Sequence, residues 1–276
     1  MLLLMLLLLL SLACMLQPPK VACTLRCNHQ ARVLRYPPTI SSAETHRTYP
    51  EATTEHTLRA REPIAAQIWD HLQTASPKMS GHLLVEDPAP LRMLENVITT
   101  KAAASLMASA VYDSAGSRPR RDRANVPLGP EALQLQTRVA EAMGVETAFL
   151  EPLRLVRYSR LGQTFEEHVD WIVDPQDPQL ELLGQRVATA LVILESVPEA
   201  AGGETDFPCL GIAARPEAGT ALLWPNVCAD GRPLPELIHE AKPISREGVQ
   251  KTALNVWVRD RPLPTDPAVL ESLVLS

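Results

Sequence analysis

The chain has 276 residues, 46% of them hydrophobic and 21% charged, enough to bury the core of one ordinary domain with appendages or of two small ones. A formal net charge of −6 argues against nucleic acid as the main partner, and 25 Pro against 12 Gly point to a loop-rich chain.

Residues 1–17, MLLLMLLLLLSLACMLQ, form an apolar run broken only by Ser11. It is shorter than the about 20 apolar residues of a membrane-spanning helix and is expected to be the apolar region of a signal peptide. Ser11 and Ala13 supply the small residues for a cut before Cys14; the alternative is a short uncleaved anchor, a possible membrane tether. Either reading sends the chain into the secretory pathway, and the expected location is the endoplasmic reticulum lumen or the Golgi, with secretion as the alternative. Cysteines 14, 23, 27, 209 and 228 are odd in number for an oxidising compartment, and the pairing of Cys209 with Cys228 is left open.

Residues 18–62 show no sustained period and carry the Pro, Thr and charge content of a flexible linker, with His29, His46 and His56 read as solvated. A domain is expected over 63–262, with its core at 151–260 and a C-terminal tail at 263–276. Pro63 opens a helix with Ile64, Ile68 and Leu72 on one face, ended at the latest by Pro77. A short apolar piece, HLLVE, is followed by LRMLENVI, read as a strand, and Thr99 or Thr100 can cap the helix KAAASLMASAVY. These elements are expected to form a supporting layer. Residues 113–129 read as a loop whose Arg cluster is either a solvated face or a substrate lid. Pro130 then starts a helix with Leu133, Val139 and Met143 among its apolar positions, and Gly144 ends it.

Beyond Gly144 come short strands separated by turn residues: LEPLRLVRYSR, RVATALVILES, GETDF, GTALLWP, HEAKPI and KTALNVWVRD. That spacing predicts an α+β, mainly β protein built on an antiparallel sandwich or jelly roll, with the helices packed outside.

Chemistry concentrates in residues 153–171, LRLVRYSRLGQTFEEHVDW. In an extended piece, His168 and Asp170 point to one side and can face one ion while Val169 points away. His239 is the third candidate ligand, and Lys251 follows it. Two neutral imidazoles and a carboxylate leave about half of an octahedral ion's positions open, which suits non-haem Fe(II).

The motifs E-P-L-R-L-V-R-Y, G-Q-T-F-E-E-H-V-D, G-Q-R-V-A-T, G-G-E-T-D-F-P, P-E-A-G-T-A-L-L-W, H-E-A-K-P-I and K-T-A-L-N-V-W run in order from about residue 151 to 258. In this the chain resembles the iron(II)- and 2-oxoglutarate-dependent dioxygenases, and among them the prolyl 4-hydroxylase catalytic domain of the plant and algal type. The resemblance implies a double-stranded β-helix, or jelly-roll, core with supporting N-terminal helices. It makes His168, Asp170 and His239 iron ligands and pairs Lys251 with the distal carboxylate of 2-oxoglutarate. Tyr158 and Thr189 match positions that contact the keto acid, and Glu151, Arg186 and Trp257 match positions that hold the peptide substrate.

Three features depart from the family. His239 and Lys251 lie 12 residues apart where 10 is usual, Ile193 replaces a Tyr, and an Arg-Thr-Ser segment has no clean counterpart in SAGSRPRRD. The implied reaction takes Fe(II), O2 and 2-oxoglutarate, with ascorbate, and releases succinate and CO2 as a C–H bond is hydroxylated. A proline-rich polypeptide is the expected substrate. The alternatives are another side chain or a small molecule, or a catalytically inactive jelly-roll binding module; a zinc hydrolase would leave Lys251 without a role. Protonation of His168 or His239 is expected to end activity below about pH 6.

Overall fold

The computed structural model describes residues 58–74, 79–113 and 121–266. The expected leader (1–17), all but the last residues of the linker, histidines 29, 46 and 56, cysteines 14, 23 and 27, and most of the C-terminal tail lie outside the described residues. Among the described residues no helix is long and apolar enough to cross a membrane.

The first helix, α1 (Glu62–Thr74), buries Ile68 and Leu72 of the expected stripe together with Ala65 and Trp69, while Ile64 is only partly buried. The folded body starts slightly before it, within the stretch expected to be linker. Leu58 and Ala60 are buried, and the Ala60 amide donates to the Gly231 carbonyl at 2.9 Å. At the other end the Leu263 amide donates to Ala148 O, so the chain stays tied to the body one residue past the expected boundary.

α2 (Thr100–Ser109) is capped by the Thr99 hydroxyl, which accepts from the Ala102 amide at 3.2 Å. α3 (Pro130–Met143) carries Pro in its first turn and ends on Gly144 at φ 67, a left-handed position that suits glycine. Its buried face holds Leu135, Val139 and Met143, whereas Leu133 is half exposed. A short α4 (Pro178–Leu183) was not anticipated; Asp177 caps it, accepting from the Gln179 amide.

The strands are β1 (Gly81–Val85), β2 (Leu91–Leu94), β3 (Val111–Tyr112), β4 (Asp122–Asn125), β5 (Arg154–Tyr158), β6 (Phe165–His168), β7 (Arg186–Ile193), β8 (Thr205–Phe207), β9 (Ile212–Ala214), β10 (Ala221–Pro225), β11 (His239–Ala241) and β12 (Lys251–Arg259). They pair antiparallel in two sheets. The large one has the order β1-β2-β10-β7-β12-β5-β4-β3 and the small one β6-β11-β8-β9.

The architecture is α+β, mainly β, with two apolar layers. One packs α1, α2 and α3 against the large sheet through residues such as Ile68, Leu135, Val192 and Val256. The other fills the space between the sheets with Val156, Leu191, Phe207, Trp224 and Ala253.

Two expectations need correction. The pieces around HLLVE and LRML are not a separate supporting layer: β2 pairs with β10, so both strands extend the large sheet. Within 113–129, Asp122–Asn125 is a strand paired with β5, and the end of KAAASLMASAVY is its partner β3 rather than helix. Neither segment alternates cleanly between apolar and polar residues, so sheet pairing decides their conformation.

Candidate metal centre

His168 ends β6 and His239 begins β11, directly opposite each other in the small sheet. The chain bends after His168 and returns Asp170 to the same side. One ligand atom from each of His168, Asp170 and His239 lies within 4.8 Å of the others. His168 Nε2 stands 3.8 Å from Asp170 Oδ1 and His239 Nε2 stands 3.7 Å from Oδ2, too far for direct hydrogen bonds.

The far side of each ring fixes its proton. His168 Nδ1 lies 2.7 Å from the Glu166 carbonyl and His239 Nδ1 lies 2.9 Å from the Leu237 carbonyl. A carbonyl only accepts, so each Nδ1 carries the hydrogen and each Nε2 presents a lone pair inward. Two lone pairs and a carboxylate facing one point with no hydrogen between them are a donor set for a cation, and the two-imidazole, one-carboxylate composition fits Fe(II).

Burial and the neighbouring His239 push the His168 imidazole down to about 3. The His168 ring therefore stays a neutral donor well below the about pH 6 at which its protonation is expected from the sequence to end activity. Burial alone would raise the Asp170 carboxyl; the two imidazoles, the Thr189 hydroxyl and the charge of Arg186 hold it below the usual range.

Apolar rings wall the site. Phe165 lies 3.7 Å from the His168 ring, centroid to centroid, Trp224 lies edge-on to His239 at 4.9 Å, and Phe207 lies 5.5 Å from His239. The Arg121 guanidinium sits 3.3 Å from the Phe165 ring centroid.

Lys251 is the first residue of β12, opposite Tyr158 of β5, and only 2% exposed. Its ammonium donates to Thr205 Oγ1 at 3.1 Å and lies 5.7 Å from the Tyr158 ring. Burial lowers it to about 8, against a smaller opposing pull from Glu204. Between His239 and Lys251, Ile244 bridges to Gly202, and residues 245–248 form an exposed turn through Gly248 at φ 73 before β12 starts. Burial raises the Tyr158 phenol to about 12, so it stays protonated as a donor. Ile193, at 2% exposure, packs in the same apolar cluster as Tyr158.

Thr189 sits mid-strand in β7, and its hydroxyl is engaged by protein: it donates to Asp170 Oδ2 at 2.7 Å and receives Asn226 Nδ2 at 3.0 Å. Glu151 is 1% exposed, bound by Arg186 (2.7 and 3.0 Å) and by Arg259 Nε (2.6 Å). Arg186 in turn lies 3.8 Å over the Trp257 ring, whose Nε1 has no acceptor among the described residues. Glu151 therefore reaches any ligand only through Arg186.

Thr205, Asn226 and Arg259 escaped sequence reasoning. Thr205 lies in the G-G-E-T-D-F-P motif, but neither it nor Asn226, one residue past β10, has a periodic signal, and Arg259 reads as an ordinary strand-end charge.

No family model matches the chain. Over 134 residues, 48% of its length, it is 32% identical to human prolyl 4-hydroxylase subunit alpha-1, covering 24% of that protein. Over 142 residues it is 28% identical to Arabidopsis thaliana prolyl 4-hydroxylase 13, covering 49% of it. The chain thus spans a quarter to a half of the length of these relatives. Among solved structures, the 2-oxoglutarate complex of the viral collagen prolyl hydroxylase from Paramecium bursaria Chlorella virus-1 superposes with a TM-score of 0.51 at 22% identity, over 63% of this chain and 98% of that one. The chain is similar in sequence to the prolyl 4-hydroxylases, and its fold is the one seen in that 2-oxoglutarate-bound viral enzyme.

Proposed function

We propose that the chain is an Fe(II)- and 2-oxoglutarate-dependent dioxygenase that hydroxylates peptidyl-proline, releasing succinate and CO2. The observation that carries this reading is the convergence of two inward lone pairs and one carboxylate in an aromatic-walled site beside a buried lysine. His168, Asp170 and His239 hold the iron, which when bound supplies the oxygen chemistry. Lys251 receives the distal carboxylate of 2-oxoglutarate. An ammonium this buried is costly unless an anion offsets it; its hydrogen-bond partner Thr205 is neutral, and the pull of Glu204 is smaller than the effect of burial. The Tyr158 phenol is a second donor at the keto-acid site.

Arg186 and Trp257 hold the peptide: a guanidinium 3.8 Å over an indole ring offers a charged donor beside an aromatic surface to a chain rich in carbonyls. Glu151 orients Arg186. A proline-rich substrate is already extended before it binds, so ordering it costs little entropy. The apolar leader supports a secretory setting, in the endoplasmic reticulum or Golgi, where ascorbate would keep the iron reduced.

The test incubates the full chain with Fe(II), ascorbate, 2-oxoglutarate and a panel of proline-rich peptides and follows products by mass spectrometry. Succinate in step with a peptide one oxygen heavier is the expected result. Succinate without peptide oxidation moves the substrate to another side chain or a small molecule. An iron-loaded, folded protein that makes no succinate overturns the reading and favours a binding module.

A further inference from the structure

We propose that Asn226 is a positioning residue for the metal centre, acting through Thr189 to fix which Asp170 oxygen is left for the ion. The inference rests on the metal-centre reading above and adds a residue that touches neither ion nor substrate.

The three groups form a buried line: Asn226 is 2% exposed, Thr189 0% and Asp170 9%. The Thr189 hydroxyl has one proton and two acceptors in reach, Asp170 Oδ2 at 2.7 Å and Asn226 Oδ1 at 3.2 Å. A carboxylate is the stronger acceptor and the closer one, so the proton goes to Asp170. Asn226 completes the arrangement by donating Nδ2–H to Thr189 Oγ1 at 3.0 Å, which removes the competing orientation of the hydroxyl.

The Asn226 backbone, from which that side chain projects, is held from both sides. Its backbone N–H donates to Val187 O at 2.8 Å, and its carbonyl accepts from the Leu234 amide at 3.2 Å. Oδ2 is thereby engaged, while Oδ1 accepts no hydrogen bond from the described residues. A carboxylate with one oxygen engaged by a hydroxyl is biased toward binding an ion through the other. That orientation leaves more of the ion's positions open to other ligands.

The test measures Mn(II) binding to the full chain by the signal of the free ion, with circular dichroism and thermal unfolding confirming that each variant is folded. Thr189→Val, which keeps the shape and deletes the hydroxyl, is expected to weaken Mn(II) by about tenfold or more, and Asn226→Ala to weaken it in the same direction. Thr189→Ser keeps the proton and stays within about threefold of the parent. The double variant Thr189→Val with Asn226→Ala is no weaker than Thr189→Val alone by more than about twofold, because both act through one bond. Asn226→Leu, closer in volume, replaces Asn226→Ala if that variant fails to fold.

Parental affinity in a folded Asn226 variant, or a double variant whose loss equals the product of the single losses, overturns the inference. A parent protein that binds no Mn(II) overturns the metal-centre reading instead, so the two failures are distinguishable.

Discussion

Lys251 is a single cation buried against a hydroxyl, and its protonation controls what it can bind. Its ordinary range is lowered to about 8 in the folded chain by burial. A bound carboxylate favours the charged form and raises it again, so binding takes up a proton once the pH exceeds about 8. The dissociation constant of 2-oxoglutarate should therefore rise by roughly tenfold between pH 7 and pH 9, as titration calorimetry would register. Lys251→Met should weaken 2-oxoglutarate by about 100-fold or more, since the dianion would lose its partner in a dry site, and should remove that pH dependence. A flat profile in the parent would show that the anion binds elsewhere. An H-x-D pair is a weak signal by itself, and His168, Asp170, His239 and Lys251 stood out in the sequence because they fall within motifs that run in the order of a known family. Their helpers did not. Thr205 and Asn226 act through single hydrogen bonds fixed by the meeting of strands far apart in the chain, and neither a period nor a spacing announces such contacts.

Between elements, the approach of β8 to the loop after β11 shows how the backbone shapes the site. Gly202 has φ 76, and a Cβ there would come within 2.1 Å of the Pro243 carbonyl; Gly203, at φ 78, lies over the Lys251 stem. Glycine is required for both the left-handed backbone and the space. Gly202→Ala should lower stability by about 1–3 kcal/mol, seen by calorimetry as a lower Tm, and should also weaken 2-oxoglutarate by moving Thr205 away from Lys251. A variant with parental Tm and affinity would mean that the loop yields freely. The helices α1 and α3 were legible from apolar spacing, flanking Pro and a terminal Gly, because those signals are local. β1, β3, β4, β6 and β9 are short strands whose conformation comes from the neighbour they pair with, and that neighbour is remote in sequence. The HEAKPI and KTALNVW segments were legible as strands, whereas the exposed turn at residues 245–248 between them is visible only in the folded chain.

For the molecule as a whole, Glu151 with Arg186 and Arg259 joins the approach to β5, the start of β7 and the end of β12 at one buried point. Burial alone would raise the Glu151 carboxyl; the two guanidinium groups hold it below the ordinary glutamate range near 4.5. A folded-state value below the unfolded one means stability that is present above that range and is lost as pH falls through it. Glu151→Gln should cost about 3–5 kcal/mol at pH 7, because two guanidinium groups lose their counter-charge, and should flatten the decline in stability on acidification. Denaturant unfolding at pH 7 and near pH 4 checks both, and an unchanged slope would assign acid sensitivity to other carboxylates.

The two ligand imidazoles are braced differently from this ion cluster. Each ring is pinned by the carbonyl two residues before it in its own strand or turn, so its direction does not depend on a guest. A chelator should therefore strip the protein without melting it, and returning the ion should restore binding at once rather than on the timescale of refolding. The chain would then exist in cells as an intact vessel whose output follows iron supply, reversibly and without turnover of the polypeptide.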